Sequence, residues 1–272
     1  MNERHPGSAT HVAAALTRLR AESPLIHNIT NYVVMNSTAN ALLAVGASPA
    51  MVHAREEVAD FASISRALVI NIGTLSAPWV EAMHTAASTA RERGVPWVLD
   101  PVGVGATTYR TTTAAELVAH RPAVIRGNAS EIMALAGAHA ATIRGVDSTQ
   151  STDDALESAR TLARESGSVV AVTGAVDYVT DGERTMSIAN GHPLMARVTG
   201  LGCTATAIVG AFLAICDSAF DAAVGGLATI GVAGELAAAR SRGPGSLQVE
   251  LLDALHLLDG DLIEAYSQIA PA

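Results

Sequence analysis

Thr199-Gly200-Leu201-Gly202-Cys203-Thr204-Ala205-Thr206 sets two glycines one residue apart at the head of an uncharged apolar run. That spacing lets successive backbone N–H groups point at one spot, and a helix starting there adds its positive end. The result is an anion hole, suited to phosphate or to the charge that grows on a phosphoryl group in transfer. The plainer alternative is a tight turn that merely starts a helix. Cys203 falls in the first turn of that helix, where the dipole lowers a thiol's pKa. It is equally well read as a small buried core residue, and both readings stand at this point. The same string fits the dinucleotide fingerprint G-x-G-x-x-A only weakly. It comes late in the chain, the preceding MARV is a poor buried strand, and no acidic residue follows at the end of a second strand.

Two carboxylates form the second candidate. Asp100 ends an apolar run and Glu131 follows thirty-one residues later, near the start of a helical stretch. Such a pair can hold Mg²⁺ directly or through water, because Mg²⁺ takes few protein ligands. Asn128-Ala129-Ser130-Glu131 also reads as a capping box, with Glu131 reaching back to the N-cap amide, and Asp100-Pro101 also reads as a turn. Arg126 at a strand end is a phosphate ligand or a surface arginine. Met35 and Met51 line a pocket or fill the core. His27 and His53 lack metal-ligand spacing, and neither G-x-x-x-x-G-K-[ST] nor G-x-S-x-G occurs.

These residues need a scaffold, and the chain alternates short β-branched runs with Ala-rich helical segments. Strands are expected at Leu25–Ile29, Ala67–Ile72, Val95–Leu99, Ala123–Arg126 and Ser168–Thr173. Helices are expected at Asn31–Val45, Pro78–Arg93, Asn128–Ala136, Asp153–Ser166, Cys203–Ile215, Ala219–Arg240 and Gln248–Ser267. Asp181-Gly182 between two short runs predicts a hairpin within Val176–Ile188. Strands alternating with helices imply an α/β fold: a mostly parallel sheet covered on both faces, with the hairpin at one edge. In open sheets of this kind ligands collect beyond the carboxyl ends of the strands. That rule selects Asn71–Thr74, Asp100–Gly103, Arg126–Asn128 and Thr173-Gly174.

The 272 residues hold no repeat and no linker, so one domain spanning 1–272 is expected, with residues 1–20 either partly disordered or a peripheral helix. A hydrophobic share of 49 %, a charged share of 16 % and a mean hydropathy of +0.31 exclude general disorder. Aromatics at 3 % call for an aliphatic, Ala-rich core in which elements approach closely. Seventeen basic against twenty-six acidic residues give −9, which argues against a nucleic-acid partner. Cys203 and Cys216, if on one helix, stand too far apart for a disulfide. The uncharged stretch Val198–Cys216 raises a membrane question, but its glycines and threonines favour a buried helix. No signal peptide is read at the start, and a cytoplasmic protein without a membrane partner is expected.

Several segments together resemble hydroxyethylthiazole kinases. They are Pro24–Ala54 (PLIHNITNYVVMNSTANALLAVGASPAMVHA), Leu68–Leu75 (LVINIGTL), Val98–Thr107 (VLDPVGVGAT), Val124–Ile132 (VIRGNASEI), Val170–Gly174 (VAVTG) and Val198–Ala207 (VTGLGCTATA). The motifs run in the family's order from Pro24 to the last helices, and HNITN together with a Cys-ended glycine turn is not shared with generic sugar kinases. The resemblance implies a ribokinase-like fold, a homotrimer, and transfer of the ATP γ-phosphoryl to the primary alcohol of 4-methyl-5-(2-hydroxyethyl)thiazole in thiamine salvage. It implies that Met51 and Gly200 contact the thiazole with Asn31 nearby, that Arg126 and Thr173 contact ATP, and that Asp100 and Glu131 serve Mg²⁺. The amides around Gly200, Gly202 and Cys203 would receive the charge of the moving group, with Cys203 standing where related kinases carry an Asp base. One departure is Leu201, where the family turn usually has Thr. The nearest alternatives are a ribokinase-like hydroxymethylpyrimidine kinase, a hydro-lyase of the nicotinamide-hydrate repair type, and a nucleotide-binding regulator. Cys203 argues against the first two, and the full set of Asp100, Glu131, Arg126 and Thr173 against the third.

Overall fold

The computed structural model describes residues 7–144 and 153–272. In chain order the elements are α1 (Ala9–Glu22), β1 (Leu25–Ile29), α2 (Met35–Val45), β2 (Ser48–Met51), α3 (Val58–Ile64), β3 (Ala67–Asn71), α4 (Ala77–Arg93), β4 (Trp97–Asp100), α5 (Thr108–Val118), β5 (Val124–Asn128), α6 (Ala129–Arg144), α7 (Asp153–Ser166) and β6 (Val169–Thr173). Then come β7 (Asp177–Thr180), β8 (Thr185–Ile188), a 3-10 turn (Pro193–Arg197), α8 (Leu201–Leu213), α9 (Ala219–Arg240), α10 (Pro244–Leu257), α11 (Gly260–Tyr266) and β9 (Ile269–Pro271).

Among the described residues one sheet runs in the order β2-β1-β3-β4-β5-β6-β7-β8-β9. The first six of these pair in parallel and the last three antiparallel, with β7 and β8 forming the expected hairpin. Side chains alternate across the central strands. In β3, Val69 enters a core with α1, α2, α8, α9 and α10, while Leu68 and Ile70 enter a second core with α3 to α7. Three layers result, because a parallel sheet must bury both faces. Close approach replaces aromatic bulk: a Cβ on Gly210 of α8 would lie 2.6 Å from Val69 Cγ2 on the sheet. The uncharged stretch is α8, buried against that sheet. Its neighbour α9 is long and apolar enough to cross a bilayer, yet 78 % of its most apolar stretch is buried inside the fold.

Several expectations shift. The helix drawn from Asn31 begins at Met35, because Asn31 Oδ1 accepts the Val33 amide at 3.1 Å and holds the backbone in a turn. The helix drawn over Gln248–Ser267 is two helices, since Asp259 Oδ1 accepts the Leu262 amide and starts α11 afresh. Residues 9–22 form α1, which buries Val12, Leu16 and Leu19, while residues 1–6 lie outside the described residues. β2, α3, α5 and β9 were not expected at all. β2 is an edge strand carrying Pro49, a position where a sheet tolerates it, and α5 opens on Thr108 and contains Thr111, Thr112 and Thr113, poor helix formers.

Candidate active site

The polar strand ends meet as one hydrogen-bonded chain. The β3–β4 register puts Asn71 beside Asp100. Asn71 Nδ2 donates to Asp100 Oδ2 at 2.7 Å, and Thr206 Oγ1 of α8 donates to the same oxygen at 2.8 Å. On the other side Asn31 Nδ2 donates to Asn71 Oδ1 at 2.9 Å and to Cys203 Sγ at 3.4 Å. Asn71 Oδ1 also accepts the Gly73 amide, which ties the loop after β3 into the chain. Burial pushes the Asp100 carboxyl up to about 6, against the pull of Arg126 and of its two donors. Its Oδ1 is buried and has no partner in the protein.

Helix α8 begins with Gly200 as N-cap at φ 82°, left-handed backbone that suits glycine. Thr204 N closes the first turn on Gly200 O, so the amides of Leu201, Gly202 and Cys203 have no acceptor within the helix. A Cβ on Gly200 would sit 2.3 Å from Val34 Cγ1, and one on Gly202 would sit 2.9 Å from an Arg126 guanidinium nitrogen. The second glycine therefore lets the Arg126 cation lie against the helix start. Arg126 Nε is itself buried and unpartnered.

From this point a cavity of about 580 Å³ opens, walled by Arg126, Thr173, Asp177, Gly202 and the loop Asn190–Met195. Thr173 Oγ1 donates to Gly127 O at 3.3 Å, which holds the end of β6 against β5. Asp177 accepts the Gly174 amide, and burial raises its carboxyl to about 6 despite Arg126.

Glu131 is a capping-box residue. Its Oε2 accepts the Asn128 amide at 2.9 Å while Asn128 Oδ1 accepts the Glu131 amide at 2.9 Å. Its Oε1 accepts the Gly103 amide and so pins the loop after β4. Among the described residues no group of three or more His, Cys, Asp or Glu is assembled as a metal site. The donor set nonetheless fits a hard divalent cation with a water shell: the orphaned Oδ1 of Asp100 is free, and each Glu131 oxygen keeps a lone pair beyond its one amide. Asp100 and Glu131 are near enough that the Glu131 charge raises the Asp100 carboxyl.

Cys203 departs from the thiolate expectation. Burial and the Asp100 charge push its thiol up from the ordinary value, more than the hydrogen bonds from Asn71 and Asn31 and the Arg126 charge pull it down. The sulfur is therefore protonated at neutral pH. Met51 ends edge strand β2 opposite Asn28 and packs on the core, at the same end of the sheet but outside the hydrogen-bonded chain and the cavity wall. Three residues escaped the sequence reading as individuals. Asn71 and Thr206 lay within noticed strings, whereas Arg110 had no signal; its guanidinium donates to Ile72 O, Val102 O and Gly73 O and clamps two site loops together.

A model of the hydroxyethylthiazole kinase family matches residues 16–261. A hydroxyethylthiazole kinase of Granulibacter bethesdensis is 60 % identical over 248 residues, covering 91 % of this chain and 90 % of its own. One of Nitratidesulfovibrio vulgaris (strain Miyazaki F) is 55 % identical over 249 residues, covering 91 % and 93 %. The solved hydroxyethylthiazole kinase of Pyrococcus horikoshii superposes with a TM-score of 0.89 at 44 % identity, over 96 % of this chain and 98 % of that one. Bacillus subtilis pyridoxal kinase, in its ADP complex, shares the ribokinase-like fold at a TM-score of 0.57 and 19 % identity, over 77 % and 91 %.

Proposed function

The chain belongs to the hydroxyethylthiazole kinase family, and on that premise we propose that it moves the γ-phosphoryl of ATP to the primary hydroxyl of 4-methyl-5-(2-hydroxyethyl)thiazole. The product is the thiazole phosphate used for thiamine, so the reaction is a salvage step. One observation carries this reading: the large cavity ends where the Arg126 guanidinium lies against the unpaired amides that open α8.

Phosphoryl transfer asks little covalent chemistry of a protein and much alignment and charge neutralisation. ATP occupies the cavity, with Arg126 and Thr173 at its phosphates. The amides of Leu201, Gly202 and Cys203 receive the charge that grows on the moving group, and losing one such donor typically raises a barrier by about 2.7–4 kcal/mol. The thiazole alcohol lies on the β1–β2 side, between Met51, Asn31 and Gly200. Asp100 and Glu131 would hold Mg²⁺, which when bound neutralises phosphate charge. Cys203 assists as a protonated neighbour of the acceptor hydroxyl, held by Asn31, and the anion hole contributes more than the sulfur does. Leu201 keeps the backbone donors of the turn but offers no hydroxyl.

The chain works as a single domain in a cytoplasmic homotrimer. A net charge of −9 supports a small-molecule enzyme without nucleic-acid or membrane partners.

The test is ADP release from Mg·ATP by the purified protein, with hydroxyethylthiazole, hydroxymethylpyrimidine or pyridoxal as acceptor. Turnover that depends on the thiazole, with kcat/KM at least about tenfold above the other two, is expected. ATP binding without thiazole-dependent turnover would reassign the acceptor and make Leu201 the first position to examine.

A further inference from the structure

The cavity wall from Asn190 to Met195 contains only a 3-10 turn and relies on α9 behind it. Gly231, Gly234 and Glu235 lie three and four residues apart and share one face of that helix. The face is cut back to admit the loop. A Cβ on Gly231 would meet Asn190 Cβ at 2.7 Å, and one on Gly234 would meet Met195 Sδ at 2.3 Å.

Glu235 then grips what the glycines admit. Its Oε1 accepts the Gly191 amide at 2.9 Å, and its two oxygens share Asn190 Nδ2 at 3.2 and 3.3 Å. Asn190 is buried, donates also to Tyr266 O at 2.8 Å, and accepts the Gln268 amide at 2.7 Å through Oδ1. Gly191 holds φ at 137°, a backbone conformation that glycine adopts and other residues rarely do. Asn190, Gly191, His192, Pro193 and Met195 face the cavity, whereas Glu235 does not.

We propose that Glu235 is a positioning residue for nucleotide binding: it sets the Asn190–Met195 wall from behind and controls affinity for ATP without touching it. The inference rests on the assignment of the cavity to ATP. It separates from a purely structural role because the loop lines the cavity, whose walls do not include Asn31, Asp100 or Cys203. Glu235→Ala should raise KM for ATP about tenfold, the effect of losing two hydrogen bonds to a buried loop. Its kcat and its KM for the acceptor alcohol should stay within about twofold. Glu235→Gln, which keeps an acceptor for the Gly191 amide, should restore KM for ATP to near the wild-type value. Glu235→Asp keeps the charge but draws it back from the loop, and gives an intermediate KM should the alanine variant fail to fold.

Steady-state kinetics with both substrates, beside equilibrium ATP binding, reads these outcomes. An unchanged KM for ATP in Glu235→Ala or in Glu235→Asp overturns the inference, even if the melting temperature falls. A parallel loss of kcat with both KM values overturns it as well. Wild-type protein that binds no ATP at all instead overturns the assignment of the cavity, a result visible before any variant is made.

Discussion

The two halves of the site are built on different principles. On the side proposed for the acceptor, Cys203, Asn31, Asn71, Asp100 and Thr206 sit on strand ends and one helix start, joined side chain to side chain and mostly buried. On the side proposed for the nucleotide, one wall of the cavity is a loop held by an acidic side chain on the helix behind it. The first half is preorganised by the sheet register itself, so its geometry is shared among many bonds. The second is set by a few bonds to one carboxylate. The proposed assignment puts chemistry that tolerates little misplacement on the rigid half and a ligand that must enter and leave on the half held by few bonds.

The largest break in this comparison should come from Asp100→Asn, which keeps shape but removes the charge. A kcat loss of about two to three decades is expected, with KM for ATP changed far less. A loss below about tenfold would deprive the rigid half of its charge centre. Next is Asn71→Ala, which strands the Gly73 amide and leaves Asp100 Oδ2 with Thr206 alone and Asn31 Nδ2 with Cys203 alone. Each buried unpaired group costs about 1–3 kcal/mol, so the urea midpoint should fall along with kcat; kcat falling alone would mean that the chain aligns without stabilising.

Cys203→Ala sharpens the account of the sulfur. With the thiol protonated, kcat should fall less than about tenfold, as measured by single-turnover phosphate transfer. A loss of a thousandfold would restore a base role. A separate effect, outside the site, is on stability with pH. His27 is fully buried on β1, its Nε2 at 2.9 Å from Val52 O, and burial lowers its imidazolium pKa to about 4. An unfolded histidine titrates near 6.5, so its contribution is complete above that pH and is lost as pH falls from about 6.5 towards 4. Asp100 and Asp177, raised to about 6, gain stability over the same range in both proteins. Relative to His27→Asn, the wild type should therefore lose on the order of 2 kcal/mol between pH 7 and pH 5, read from urea unfolding at both pH values.

What the sequence disclosed was local. Buried parallel strands announce themselves as β-branched runs, and the glycine turn and capping box each lie within a few residues. Asn128-Ala129-Ser130-Glu131 was legible as a cap, and a cap is what the structure contains. The chain through Asn71 and Thr206 was not legible, because its members are 29 and 106 residues from Asp100 in sequence and meet only through sheet register and helix docking. The Cys203 environment was hidden for the same reason. The helix start alone argued for a thiolate, while the burial and the nearby carboxylate that reverse the argument come from elsewhere in the fold. The Pro49 edge strand and the threonine-rich α5 were hidden because local propensity points the other way there.

The protonated sulfur bears on how this enzyme meets oxidants. Peroxide attacks thiolate rather than thiol, so a site that holds Cys203 neutral slows conversion to the sulfenic acid. Cys216 offers no disulfide to trap such damage: it follows the far end of α8, beyond bridging distance, and burial pushes its own thiol up to about 12. The surroundings of both sulfurs thus favour the thiol, the form that peroxide attacks more slowly.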